Sequence, residues 1–263
     1  VYYFYGYCDL VNKQKIKEGN EINIVVPTGN FGNILAAYYS KRMGLPIGKL
    51  ICSSNENNVL TDFLNTGIYD KRRDLILTES PSMDILISSN LERLIFEANN
   101  RDAEKTKKLM EELNENGVYS ISNESRKFLK DFYGNYADTK EVYKAIKEVY
   151  EKENYLMDTH TAVGYVVLNK YKNETGDNRQ VLIVSTASPY KFPRSICRAL
   201  GLDVSNKNDF EVLKLLNEYT NIEIPNNLKG LDVKKVIHNK VCNKENMKES
   251  LLEFLKENKN WLR

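Results

Sequence analysis

The chain is short of the residues that build metal and disulfide sites. It has two histidines, His160 and His238, too few for a multi-histidine metal centre. Its four cysteines, Cys8, Cys52, Cys197 and Cys242, are scattered without a C-x-x-C pair, which excludes zinc ribbons and thioredoxin-type motifs. Free thiols in a chain of this size suggest a reducing, cytoplasmic compartment and read as inert, buried groups. No apolar run approaches the roughly 20 residues of a membrane span. With 38 basic and 36 acidic residues the net charge is +2, so there is no bulk basic field for nucleic acid or an acidic membrane. The start, Val1-Tyr2-Tyr3-Phe4-Tyr5-Gly6-Tyr7, lacks the basic region and small-residue cleavage site of a signal peptide. No internal repeat or low-complexity segment stands out.

What is present fits a globular protein of one large domain or two small ones: 263 residues, 41% hydrophobic and 28% charged. The opening aromatics read as the buried face of a helix already in progress, continued by Leu10, Val11 and Ile16 and stopped at Gly19-Asn20. Such a start points to a protein that continues upstream. Strands are expected at 22–26, 49–53, 75–77 and 181–184, the first, second and last of them buried. Residues 118–122 are ambiguous. Helices are expected at 34–43, 59–64, 91–99, 103–113, 123–132 (capped by Asn123), 139–152, 162–171 and 193–200, with two more in the tail at 210–216 and 247–255. Apolar strands alternating with helices indicate an α/β fold built on a parallel sheet. Ligands of such sheets sit beyond the carboxyl ends of the strands. That rule singles out two loops, Thr28 to Asn33 and Ser185 to Ser188.

Each loop carries a chemical option. Gly29-Asn30-Phe31-Gly32-Asn33 follows a strand and opens a helix. Its glycines free the backbone N–H groups to converge, and the helix N-terminus adds positive potential, which suits a phosphate. The string is neither G-x-G-x-x-G nor a Walker A loop, and by itself it equally describes a tight turn. Ser185 and Thr186 offer hydroxyls, neutral partners for a ring nitrogen, or they cap the next helix.

Several blocks together resemble threonine synthase. They are Pro27 to Asn33 with Leu35-Ala36-Ala37-Tyr38-Tyr39 and Arg42-Met43-Gly44-Leu45-Pro46, then Ser80-Pro81-Ser82-Met83-Asp84-Ile85 and Ser88-Ser89-Asn90-Leu91-Glu92-Arg93. His160-Thr161-Ala162-Val163-Gly164 and Ser185-Thr186-Ala187-Ser188-Pro189-Tyr190-Lys191-Phe192 complete the set. The likeness is to the longer microbial and fungal type and runs to about residue 195. It implies a fold-type II, tryptophan synthase β-subunit-like enzyme that uses pyridoxal 5'-phosphate to convert O-phosphohomoserine and water to threonine and phosphate. By the same likeness, Gly29, Asn30, Phe31, Gly32 and Asn33 would hold the cofactor phosphate, and Thr186, with Ser185, would face the pyridine nitrogen. Ser82, Asp84, Asn90, Arg93 and His160 become candidates for the substrate, Arg93 through bidentate pairing with phosphate. A surface pair of Arg93 with Glu92 or Glu97, and a helix-capping role for His160, are the plainer readings.

One family feature is missing. The Schiff-base lysine of a Ser-Phe-Lys-Asp motif does not occur; the nearest string, Phe128-Leu129-Lys130-Asp131, reads as part of an amphipathic helix. The expectation is therefore a C-terminal part, with no catalytic lysine of its own and inactive alone, whose partner is the missing N-terminal segment of the same protein. Residues 1–200 would belong to the large cofactor-binding domain and 201–263 to a helical extension, in which Trp261 anchors the tail and His238 lies on the surface. Two alternatives are a serine or threonine dehydratase of the same fold type, and a non-catalytic phosphate-ester-binding relative.

Overall fold

The computed structural model describes residues 1–237 and 239–257, so the expectations for His238 and Trp261 fall outside the described residues. The chain divides into two compact units, Val1–Ile224 and Pro225–Arg263. In the first, α1 (Tyr2–Asn12), β1 (Ile22–Pro27), α2 (Gly32–Arg42), β2 (Ile47–Ser54), α3 (Val59–Thr66) and β3 (Ile68–Asp70) lead to α4 (Leu91–Ala98), α5 (Ala103–Asn116), β4 (Val118–Ser120) and α6 (Asn123–Lys127). Then follow β5 (Phe132–Tyr136), α7 (Thr139–Glu153), α8 (Thr159–Thr175), β6 (Val181–Ile183), α9 (Pro193–Ala199) and α10 (Asp209–Thr220). In the second unit, α11 spans Met247–Glu257, and Lys240 pairs with Glu253.

The expected parallel sheet is present, with strand order β5-β2-β1-β6. All three pairings are parallel, with Val25 opposite both Ile51 and Ile183. β1 is buried along its whole length, as a central strand covered on both faces must be. Ile22, Ile24 and Val26 turn into the core shared with Phe31, Ile34 and Leu35. Val25 turns the other way, toward α8, where a Cβ on Gly164 would stand 3.4 Å from its Cγ1 and 3.3 Å from Pro27 Cγ. That glycine lets the helix lie close on the strand. Asn23 is fully buried but satisfied. Its side chain accepts from Lys49 N at 2.8 Å, where the register shifts between Ile22 and Ile24, and donates to Asp177 at 2.9 Å.

Several expectations are corrected. Residues 75–77 form no strand: Leu75, Ile76 and Leu77 are 48%, 45% and 86% exposed, and the segment is pinned instead by Asn57, whose amide exchanges two hydrogen bonds with the Ile76 backbone. The small second sheet is β3 with β4, antiparallel. The helix expected over 123–132 ends at Lys127; Ser122, not Asn123, caps it, a 3₁₀ turn covers Phe128–Asp131, and Phe132 begins the edge strand β5. Gly134 and Asn135 lower the local strand propensity, and pairing to β2 overrides it. β6 is only half-buried, because β1 is its one neighbour in the described sheet. The aromatics of α1 do not form one buried face: helical spacing buries Tyr3 and Tyr7 and leaves Tyr2 and Tyr5 exposed, and the helix stops at Asn12. Cys52 and Cys197 are buried, but Cys8 and Cys242 are exposed. The division between units falls after Ile224 rather than at 200, since α10 packs on α9 and buries Val212, Leu213 and Leu216.

Candidate functional site

β1 and β6 are neighbours in the sheet, so the loops leaving their carboxyl ends meet although they are far apart in sequence. Between them lies a cavity of about 340 Å³ lined by Pro27 to Asn33, Ser82, Met83, Asn90, His160, Thr186, Ala187 and Lys191. All five residues of the Gly29–Asn33 string line it, as do Thr186, Ser82, Asn90 and His160.

The Gly29–Asn33 loop is shaped by close approach. A Cβ on Gly29 would sit 2.9 Å from the Ser82 carbonyl oxygen and 3.2 Å from Met83 Cα. On Gly32 it would sit 3.1 Å from Asn90 Nδ2. Phe31 takes φ +61°, the left-handed region, which turns the chain into α2; its ring is buried and packs on Phe132 at 5.8 Å. No side chain caps α2, so the first-turn N–H groups, which have no acceptor within a helix, are left to the cavity end. The loop is braced from the segment before α4. Ser88 Oγ donates to the Gly29 carbonyl at 2.8 Å, and Asn90 Nδ2 donates to the Asn30 carbonyl at 2.7 Å. Ser89 donates its backbone N–H and its hydroxyl to Asn30 Oδ1 at 2.7 and 2.8 Å. A backbone N–H can only donate, so the Asn30 amide must present its oxygen to Ser89 and keep its NH₂ for another partner. Asn33 Oδ1 likewise accepts from the Tyr3 hydroxyl of α1. Burial pushes the Tyr3 hydroxyl far above its ordinary range, which keeps it a neutral donor. The loop is therefore rich in donors and suited to an anion.

Not every expected residue reaches the cavity. Ser185 is exposed and outside the lining; its hydroxyl lies 3.3 Å from Thr161 Oγ1, whose one proton goes to Asp158 Oδ2. Asp84 is outside it too. Its carboxylate accepts from the amides of Asn55 and Asn57, at 2.7 and 3.0 Å, and from the backbone N–H and hydroxyl of Thr78, at 2.8 and 2.7 Å. Asp84 thus holds the 76–84 segment together. Arg93 is exposed, and its guanidinium donates to Asn90 Oδ1, so it meets the site through Asn90; Glu97 pairs with Arg101, not with Arg93. The residue that caps α8 is Asp158, not His160.

Among the lining residues that were not singled out from sequence are Met83 and Lys191. Met83 contributes the apolar wall. Lys191 is the one lysine or arginine of the lining; its Nζ lies 3.5 Å from Ser82 Oγ and 5.2 Å from the centre of the Phe192 ring. Its position directly after the Ser185–Ser188 loop was the available signal.

Residues 161–248 match the family model described as threonine synthase, C-terminal. Human threonine synthase-like 1 is 42% identical over 221 residues, 83% of this chain and 29% of that protein. The crystal structure of threonine synthase from yeast superposes with a TM-score of 0.80 at 33% identity, covering 97% of this chain and 51% of that one. This chain is similar to the threonine synthases. A threonine synthase from Brucella melitensis, solved with pyridoxal phosphate bound, matches with a TM-score of 0.69 at 34% identity, covering 83% of this chain and 48% of that one. The chain thus spans under a third of the human relative and about half of these two solved threonine synthases. Threonine synthase likeness extends well outside the 161–248 match, to the β1–α2 loop and the braces that hold it.

Proposed function

We propose that this chain is the cofactor-cradling part of a threonine synthase, which in the full-length protein converts O-phosphohomoserine and water to threonine and inorganic phosphate. The observation that carries the reading is the meeting of a glycine-built, donor-rich loop with a neutral hydroxyl, Thr186, in one cavity. The residues fit pyridoxal phosphate: Gly29 to Asn33 line the cavity at the start of α2, which no side chain caps, so backbone N–H groups there can meet an anion. Gly29 to Asn33 would hold the phosphate through backbone N–H groups and the Asn30 NH₂. Thr186 would meet the ring nitrogen without demanding its proton. Pyridoxal phosphate, when bound, supplies the electron sink for the chemistry.

The remaining side chains bind and orient. Lys191 supplies positive charge at the wall, where it can meet a substrate anion. Asn90 braces the loop and ties Arg93 to it. Ser82 offers a hydroxyl within reach of Lys191. The base and the lysine that bonds the cofactor would come from an upstream segment of the same polypeptide, in a reducing, cytoplasmic setting. The likeness to a protein named only threonine synthase-like favours one second reading, a phosphate-ester binder without catalysis.

The deciding assay is phosphate release from O-phosphohomoserine by the full-length gene product loaded with pyridoxal phosphate. Turnover by the full-length protein and none by this chain alone is the expected result. A full-length protein that binds the phosphate ester but never releases phosphate would leave the binder reading in its place.

A further inference from the structure

His160, which lines the cavity, forms a buried polar pair with Asp158 that the cradle does not use. His160 and Asp158 are both buried, at 3% and 1% exposure. Asp158 caps α8, its Oδ1 accepting from the backbone N–H of His160 at 2.9 Å and of Thr161 at 3.2 Å, while Oδ2 accepts from the Thr161 hydroxyl. The same Oδ1 lies 3.2 Å from His160 Nδ1. Burial alone would raise the Asp158 carboxyl, but the hydrogen bonds from His160 and Thr161 outweigh it and hold the group below the usual carboxylate range. Asp158 is therefore an acceptor only. A ring nitrogen that faces such an oxygen carries the proton. The other ring nitrogen, Nε2, is buried and has no hydrogen-bond partner among the described residues, and His160 is one of the residues that line the cavity. Phe192, 5.0 Å away between ring centres, packs against the imidazole and fixes its plane.

We propose that Asp158 and His160 form an oriented acceptor in this cavity: Asp158 keeps the proton on Nδ1, and the bare Nε2 takes a hydrogen bond from a hydroxyl of the phosphate compound held by the Gly29–Asn33 loop. The inference rests on the reading of the cavity as a phosphate site. It makes His160 a binding residue and Asp158 a positioning residue. It also explains why a buried imidazole nitrogen goes unpaired among the described residues, an arrangement that is costly when nothing meets it. A pocket of donors alone holds a fully ionised anion from one side. An acceptor elsewhere in the lining adds selectivity for a ligand that still carries an O–H.

The chain has two histidines, so the whole chain labelled with ¹⁵N-histidine gives two rings by NMR, and His238→Gln assigns them. In the unaltered chain near neutral pH the His160 ring is expected with its proton on Nδ1 and Nε2 bare. Inorganic phosphate, which carries a P–OH at that pH, is titrated in while its binding is followed by calorimetry. It should move the Nε2 resonance further than Nδ1 along one saturable curve. Asp158→Asn keeps a good helix cap but can offer its NH₂ to the ring. It should move the proton to Nε2 and abolish the phosphate-driven shift.

A proton on Nε2 in the unaltered chain, in either a neutral or a doubly protonated ring, overturns the proposal. Phosphate that binds by calorimetry without moving Nε2 overturns it alone and leaves the cradle intact. No binding of phosphate overturns it together with the functional reading. An unchanged tautomer in Asp158→Asn removes Asp158 from its positioning role.

Discussion

The Ser82 carbonyl oxygen lies 2.9 Å from where a methyl group on Gly29 would stand, and it is backbone, with no rotamer to escape into. Gly29→Ala must therefore shift either the loop or the 80–85 segment. The expected cost is about 1–3 kcal/mol of stability, read as a lower urea midpoint, together with weaker binding of pyridoxal phosphate. Unchanged stability and affinity would mean that the glycine is there for a turn alone. The residues of this loop were legible in the sequence because strand, glycines and helix follow one another directly. What holds the loop was not. Ser88, Ser89 and Asn90 lie about sixty residues further on, separations of 59 and 60 positions, and only folding shows that they brace Asn30 and Gly29. Asp84 is the converse case: its block carries the family likeness, yet four hydrogen bonds to Asn55, Asn57 and Thr78 commit it to structure.

The turn from α8 into β6 shows how one carboxylate can tie elements together. Asp177 accepts from the Tyr171 hydroxyl at 2.5 Å, from Asn23 Nδ2 at 2.9 Å and from the Arg179 backbone N–H at 3.0 Å. Burial pushes its carboxyl up, but these bonds and the Arg179 charge outweigh burial and bring it down to about 2. Its pKa is depressed on folding, so its contribution is fully present above the unfolded value of about 3.9 and is lost as pH falls toward about 2. The urea midpoint of Asp177→Asn should then be lower than that of the unaltered chain at neutral pH, and the gap should close on acidification through that window. A gap constant from pH 5 to about 2 would assign the effect to packing rather than to the charge.

α7 was readable along its length, while α10 was read only over 210–216 of Asp209–Thr220; capping boxes at Asp138–Glu141 and Asn208–Glu211 start the two helices. β5 was not, because Phe132-Tyr133-Gly134-Asn135-Tyr136 gains its conformation from β2, and the helical pattern upstream runs into it.

Across the first unit, sheet order is what turns two loops into one site. The alternation of strands and helices announced an α/β fold and pointed to strand ends. It could not say that β6 lies beside β1, which is the fact that brings Thr186 and Lys191 to the Gly29–Asn33 loop. The second unit is described by α11 and the Lys240–Glu253 pair, and no residue of the candidate cavity belongs to it. The central claim is that this chain holds the phosphate cradle but not the lysine that bonds the cofactor. It is tested most directly by adding pyridoxal phosphate to the whole 263-residue chain, reducing with borohydride and mapping lysine adducts by mass spectrometry. The account expects saturable binding that Gly29→Ala weakens, with no stoichiometric adduct at any one lysine, Lys191 on the cavity wall included. A single, stoichiometric, cradle-dependent adduct on a lysine of this chain would contradict it.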